Sequence, residues 1–200
     1  MFDARLRPLI DPPLNAAGRR LAAAGVGADA VTLAGFACGI AAAFAICWHA
    51  PLLAALLILA NRLADGLDGA VARARARTDR GGYLDIVLDF FFYGAIPFAF
   101  ALADPAANAL AASALLLSFY MNGASFLGFA IMAEKRGLAT SAQGAKSLYY
   151  LGGLAEGAET IAVFLAFCLL PAAFAPIAWA FAAVCAVSAT ARLVMVSRLL

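Results

Sequence analysis

Six apolar stretches divide this chain, near residues 30–48, 52–73, 82–103, 106–133, 147–170 and 174–196, and every lysine and arginine falls at alternate ends of them. A helix needs roughly 20 apolar residues to cross a bilayer. Arg5, Arg7, Arg19 and Arg20 precede the first stretch; Arg73, Arg75, Arg77 and Arg80 lie between or beside the second and third. Lys135, Arg136 and Lys146 lie between the fourth and fifth, and Arg192 and Arg198 close the chain. Arg62 sits inside the second stretch, toward that same end. The other three connections, at His49-Ala-Pro51, Asp104-Pro105 and Pro171, carry no basic residue. Adding or removing one span would scramble this alternation. The positive-inside tendency then puts the basic side and both termini in the cytoplasm.

Composition agrees. The 200 residues are 66% hydrophobic and 13% charged, against about 45–50% and about 25% in soluble domains. Too little polar surface remains to coat a soluble globule. The expected fold is therefore all-α and integral to the membrane, six helices around a polar cavity open to the cytoplasm. Residues 1–27 form an N-terminal interfacial arm and residues 28–200 the membrane domain. Within the arm, a short helix from Leu14 to Ala24 would carry Arg19 and Arg20 toward lipid headgroups. No signal peptide is expected. Cys38, Cys47, Cys168 and Cys185 stand singly within predicted spans and read as small buried side chains. His49, the sole histidine, lies on the side away from the acids, and nothing suggests a nucleic-acid partner.

Against this apolar background four carboxylates stand out. They occur in Asp65-Gly-Leu-Asp68-Gly69-Ala-Val-Ala72-Arg73 and Gly81-Gly-Tyr-Leu-Asp85-Ile-Val-Leu-Asp89. Acids near hydrocarbon are costly and usually meet a cation, a proton or a substrate. Asp65 and Asp68 are three apart, and Asp85 and Asp89 four apart, so each pair shares a helix face. Two such faces brought together would form a cage of hard oxygen ligands suited to Mg²⁺ or Mn²⁺. The second helix should run from Pro51 through Arg77, about 40 Å, and so project its acids beyond the apolar slab. Gly69 and Ala72 leave space on the acid face, Arg73 offers a planar fork to a phosphate, and Gly81 lets a ligand approach the backbone. Asp79 and Glu134 read as solvated helix-end charges, and Arg75, Arg77 and Arg80 as a loop beside anionic headgroups.

The string from Asp65 to Asp89 resembles the motif of the CDP-alcohol phosphotransferases (CDP-alcohol phosphatidyltransferases), six-helix membrane enzymes of phospholipid synthesis. It covers 25 residues. The family's usual gap between the arginine and the following glycine is eight residues. Here it is seven, because only Gly81 keeps the spacing to Asp85 and Asp89. The resemblance implies that Asp65, Asp68 and Asp85 bind metal, two ions in all, and that Asp89 is a ligand, a general base, or both. It implies that Gly69, Ala72, Arg73 and Gly81 hold the cytidine diphosphate moiety. The reaction would move a phosphatidyl group from CDP-diacylglycerol to an alcohol, with release of CMP. A homodimer in a bacterial inner membrane is implied on the same ground.

The acceptor is less legible. Lys146, Tyr149, Tyr150, Gly153, Glu156 and Thr160 fall near one stripe of the fifth predicted span, with Glu159 three past Glu156. Lys146 reads equally as an interfacial anchor, and Asn122 and Ser125 of the fourth span as helix-packing groups. Two glutamates would repel an acceptor phosphate. They favour an uncharged polyol, an amine-bearing alcohol or the glycerol headgroup of another lipid. The Gly152-Gly-Leu-x-Glu-x-x-Glu-Thr160 element is similar to one in a short bacterial branch of the family. Two other classes also place acids in membranes. Intramembrane prenyltransferases hold Mg²⁺-diphosphate on two separated acid-rich motifs, and cation-coupled transporters use acids along an ion path.

Overall fold

The computed structural model describes residues 3–137 and 157–199, and these form helices with short connections. The helices are α1 (Asp3–Ala23), α2 (Ala28–Cys47), α3 (Pro51–Ala74), α4 (Asp79–Ala103), α5 (Pro105–Lys135), α6 (Gly157–Leu169) and α7 (Phe174–Leu199). A single 3-10 turn, Pro171–Ala173, precedes α7. Four segments are long and apolar enough to cross a membrane: α2, α4, α5 and the stretch Pro171–Arg198. Helix α3 has 24 residues, but Arg62, Asp65, Asp68 and Arg73 dilute its apolar character. Of the fifth predicted span the structure describes only the part from Gly157 onward. Lys146, Tyr149, Tyr150, Gly153 and Glu156 lie outside the described residues.

The helix starts follow from local chemistry. Pro51 begins α3, where its missing N–H costs no hydrogen bond. Thr78 caps α4 by accepting from the Gly81 amide, and Asp104 caps α5 by accepting from the Ala107 amide just ahead of Pro105. Two boundaries differ from expectation. Helix α3 stops at Ala74 rather than Arg77, and α4 starts at Asp79 rather than at the paired glycines. The chain must reverse between the two acid-bearing helices, and a helix start capped by Thr78 leaves only residues 75–78 for the turn. Helix α1 is also longer than the expected Leu14–Ala24 segment and includes Pro8, Pro12 and Pro13.

The buried centre is aromatic. Phe92, Phe164, Phe167 and Phe174 are fully buried. Phe92 meets Phe164 edge-on at 5.9 Å, and Phe100 stacks on Phe174 at 4.7 Å. By contrast Trp48, Leu110 and Tyr120 are exposed, as expected of side chains facing lipid. Cys168 and Cys185 are buried and all four cysteines are free.

Helices α2 and α3 approach closely through small residues. A Cβ added at Gly35 would stand 2.7 Å from the Ala64 Cβ, and one at Gly39 would stand 3.2 Å from Asn61 Nδ2 of α3 and 2.6 Å from Phe92 of α4. Gly35-x-x-x-Gly39 is the small-residue spacing by which membrane helices bring their backbones together. Helix α1 meets the C-terminal half of α3 in the same way. There a Cβ at Gly18 would lie 2.6 Å from the Ala70 Cβ, and Leu14 covers Gly66. These two seams fix α3 between α1 and α2, with its acid-bearing turns facing α4.

Candidate active site

The acids of α3 and α4 converge. One carboxylate oxygen each from Asp65, Asp68 and Asp85 lie within 4.8 Å of one another. The three share a cleft with Asp89, lined also by Thr32, Gly35, Phe36, Asn61, Arg62 and Leu88. A divalent ion such as Mg²⁺ binds oxygen at about 2.0–2.1 Å, which puts opposite ligands about 4 Å apart. Small side-chain rotations would close the three aspartates on one ion. The donor set is all hard oxygen, which suits Mg²⁺ or Mn²⁺, so these residues fit the ion expected of them.

Each acid is held by its surroundings. Asp68 is buried, 6% exposed, and its Oδ2 lies 2.6 Å from Thr32 Oγ1. The Ala28 carbonyl is 3.1 Å from that hydroxyl, so the single hydroxyl proton goes to the nearer, charged acceptor. Thr32 belongs to α2, and the small residues of the α2–α3 seam are what bring it within reach. Asp89 is placed differently from the other three. Its Oδ1 accepts a 2.7 Å hydrogen bond from Arg62 Nη2, while Arg62 Nη1 lies 3.6 Å from Asp65. Arg62 is itself fixed on several sides. Its Nε donates to Asn61 Oδ1 at 2.8 Å, and its guanidinium sits 4.8 Å over the Phe92 ring and 5.5 Å from that of Tyr93. Asn61, buried, donates in turn to the Gly35 carbonyl at 2.8 Å.

The residues expected to hold the nucleotide lie beyond this cleft, on the last turns of α3 and the first of α4. Ala72 is half-buried and Arg73 exposed. The Arg73 Nε and Nη2 both donate to Asn15 Oδ1 of α1, at 3.1 and 2.9 Å. A Cβ on Gly69 would stand 3.3 Å from Arg73 Nη1, so this small residue leaves the guanidinium room. Gly81 lies in the first turn of α4, where an added Cβ would come 3.2 Å from Asp29 Oδ1. None of these four residues lines the acid cleft.

Among the proposed acceptor residues, Glu159 lies half-buried in the first turn of α6, next to buried Thr160. Helix α6 packs on α3, but Glu159 does not line the acid cleft. Asn122 and Ser125 do hold a helix pair together, as read from the sequence. Arg192 Nη1 of α7 donates to the Asn122 carbonyl, to Asn122 Oδ1 at 2.8 Å and to Ser125 Oγ at 3.0 Å. Arg192 is buried, 7% exposed, a placement that sequence position did not reveal.

Sequence reasoning missed Thr32, Asn61 and Arg62 as parts of the site. A signal existed for the last two. Asn61 and Arg62 precede Asp65 by four and three residues inside an apolar stretch, so they share its face. For Thr32 there was none, since a lone threonine in a separate helix carries no spacing relation to Asp68.

Comparison with known proteins agrees with this geometry. The profile of the CDP-alcohol phosphatidyltransferases matches residues 26–195. The Inner membrane protein YnjF of Escherichia coli (strain K12) is 49% identical over 187 residues, 92% of this chain and 90% of that protein. An archaetidylinositol phosphate synthase of Pyrococcus horikoshii is 31% identical over 100 residues, half of this chain and 53% of its own. The crystal structure of Mycobacterium tuberculosis phosphatidylinositol phosphate synthase with CDP-DAG bound superposes with a TM-score of 0.71 at 22% identity, over 90% of this chain and 91% of that one. At that identity the likeness speaks to the fold. The profile match, the motif and the convergence of its aspartates meet in one conclusion: this chain belongs to the CDP-alcohol phosphatidyltransferase family.

Proposed function

We propose that the protein transfers a phosphatidyl group from CDP-diacylglycerol to the hydroxyl of an acceptor alcohol, releases CMP, and requires Mg²⁺ or Mn²⁺. The observation that carries this reading is the meeting of Asp65, Asp68 and Asp85 within 4.8 Å. Asp65, Asp68 and Asp85 would hold the ion or ions, which when bound neutralise the diphosphate and stabilise the leaving CMP. Thr32 fixes the orientation of Asp68 through its hydroxyl. Arg73, Gly69, Ala72 and Gly81 receive the cytidine diphosphate. Asp89 faces the cleft and takes the proton of the acceptor hydroxyl as its oxygen bonds to the phosphatidyl phosphorus and the bond to CMP breaks.

We read α3 and the segment ending in α6 as two further spans, which completes six around a cavity open to the cytoplasm. Both termini and the aspartates then lie on the basic, cytoplasmic side of a bacterial inner membrane. In this reading residues 1–27 form the arm that covers α3, residues 28–200 form the membrane domain, and two copies assemble as a homodimer. We assign acceptor recognition to Glu159 and, from the sequence, to Lys146, Tyr149 and Glu156. The glutamates favour an acceptor without a phosphate of its own.

Two measurements test this. With labelled CDP-diacylglycerol, Mn²⁺ and a panel of alcohols, the protein is expected to release CMP with an uncharged polyol, an amino alcohol or a glycerol-bearing lipid. Best use of glycerol 3-phosphate by a wide margin would overturn the acceptor assignment, and no nucleotide turnover, with pyrophosphate released when a prenyl diphosphate is supplied instead, would overturn the reaction. Asp89→Asn is expected to retain CDP binding while turnover falls by at least about 10². Wild-type turnover in that variant, with metal present, removes Asp89 as the base.

A further inference from the structure

Four carboxylates and one guanidinium line the cleft, and the guanidinium is not a passing visitor. Arg62 rises from the same helix as Asp65 and Asp68, and its Nη2 reaches across to Asp89 on α4 at 2.7 Å. Its Nε is taken by Asn61 and its flat face by Phe92 and Tyr93. Asn61 is anchored to the Gly35 carbonyl, so the support extends into α2. A planar fork held by a side-chain amide and two rings is oriented rather than merely tethered. The result divides the acids. Asp65, Asp68 and Asp85 gather their oxygens within 4.8 Å, and Arg62 makes its short contact, 2.7 Å, with Asp89 on the same stripe of α4 as Asp85, while its Nη1 stays 3.6 Å from Asp65.

We propose that Arg62 is a resident counter-ion that keeps Asp89 out of the ion set, so that a first divalent ion binds Asp65, Asp68 and Asp85 alone and a second engages Asp89 only in competition with the guanidinium. Charge supports the order. With all groups ionised the lining carries a formal charge of −3. One divalent ion leaves the lining at −1, whereas a second turns it positive. Like charges confined at short range repel strongly where solvent is scarce, so the second ion enters with an anionic diphosphate beside it. Arg62 is thus a positioning residue for Asp89 and sets the number of ions in the resting protein. The inference rests on the metal-dependent reading above.

The test is metal binding without turnover. The full chain in lipid nanodiscs is titrated with Mn²⁺ in the absence of nucleotide, with bound ion read by electron paramagnetic resonance. The wild type is expected to bind one Mn²⁺. Asp68→Asn and Asp85→Asn are expected to weaken it more than about tenfold, the scale of damage to a metal site, while Asp89→Asn changes its affinity less than about twofold. Arg62→Gln is expected to bind two Mn²⁺ without nucleotide, and Arg62→Lys, which keeps a cation there, to return the count to one. An Asp89→Asn variant weakened as much as Asp68→Asn, or an Arg62→Gln variant that still binds one ion, overturns the proposal. Asp89→Asn is nearly isosteric and decides the matter even where Arg62→Gln fails to fold. A wild type that binds no Mn²⁺ overturns the metal-dependent reading itself and the proposal with it.

Discussion

Asp68→Asn is expected to reduce CMP release by on the order of 10³, near the upper range for removing one preorganised electrostatic group, at unchanged expression and helix content. Of the three clustered acids Asp68 is the buried one, at 6% exposure, and Thr32 fixes its orientation from a different helix. The amide has nearly the same shape as the carboxylate and can still accept from Thr32, so the fold should be kept. What is lost is one negative charge and one hard ligand, and in a site built from three carboxylates that leaves two. Radiolabelled CDP-diacylglycerol with saturating Mn²⁺ gives the rate, and circular dichroism confirms the helices. Turnover within tenfold of wild type would mean that Asp68 is not a ligand. Thr32→Val should lose less, because it removes the orienting hydroxyl and leaves the carboxylate in place.

Gly35→Leu is expected to destabilise the protein by about 3 kcal/mol, the upper range for overpacking, and to lower Mn²⁺ affinity although Gly35 contributes no ligand. Its added Cβ would stand 2.7 Å from the Ala64 Cβ, which belongs to the facing helix and has no rotamer with which to withdraw. The two helices would have to part. That parting moves the Gly35 carbonyl away from Asn61 and Thr32 away from Asp68, so the seam and the site should fail together. Thermal unfolding in detergent measures the first effect and Mn²⁺ titration the second. Gly128→Ala is the control, since an added Cβ there meets nothing within 4 Å. Equal midpoints for the two variants would show that the seam tolerates a side chain.

Much of this arrangement was readable in advance, and the reasons are local. Helix starts at Pro51 and Pro105 follow from residues adjacent in the chain. The pairing of Asp65 with Asp68, and of Asp85 with Asp89, is a matter of helical period, so spacing alone reports it. The early end of α3 was not readable. Residues 75–77 continue an alternating Ala and Arg run that any helix would accept, and the chain turns there for α4 to pack against α2. The separation of Asp89 from the other acids was also hidden, since period places it on one stripe with Asp85.

The amino-acid order by itself determined that the chain is helical and apolar enough for a membrane, that its basic residues gather at alternate helix ends, and that its acids form two pairs, each on one face of its helix. These properties depend on composition and on neighbours within one helical turn or two. Tertiary structure alone decided which groups meet across helices: Thr32 with Asp68, Arg62 with Asp89, and Arg192 with Asn122 and Ser125. The physical reason is distance in the chain. A hydrogen bond between residues dozens of positions apart depends on how closely two backbones pack, and at Gly35 and Gly39 it is the absence of a side chain that sets that approach.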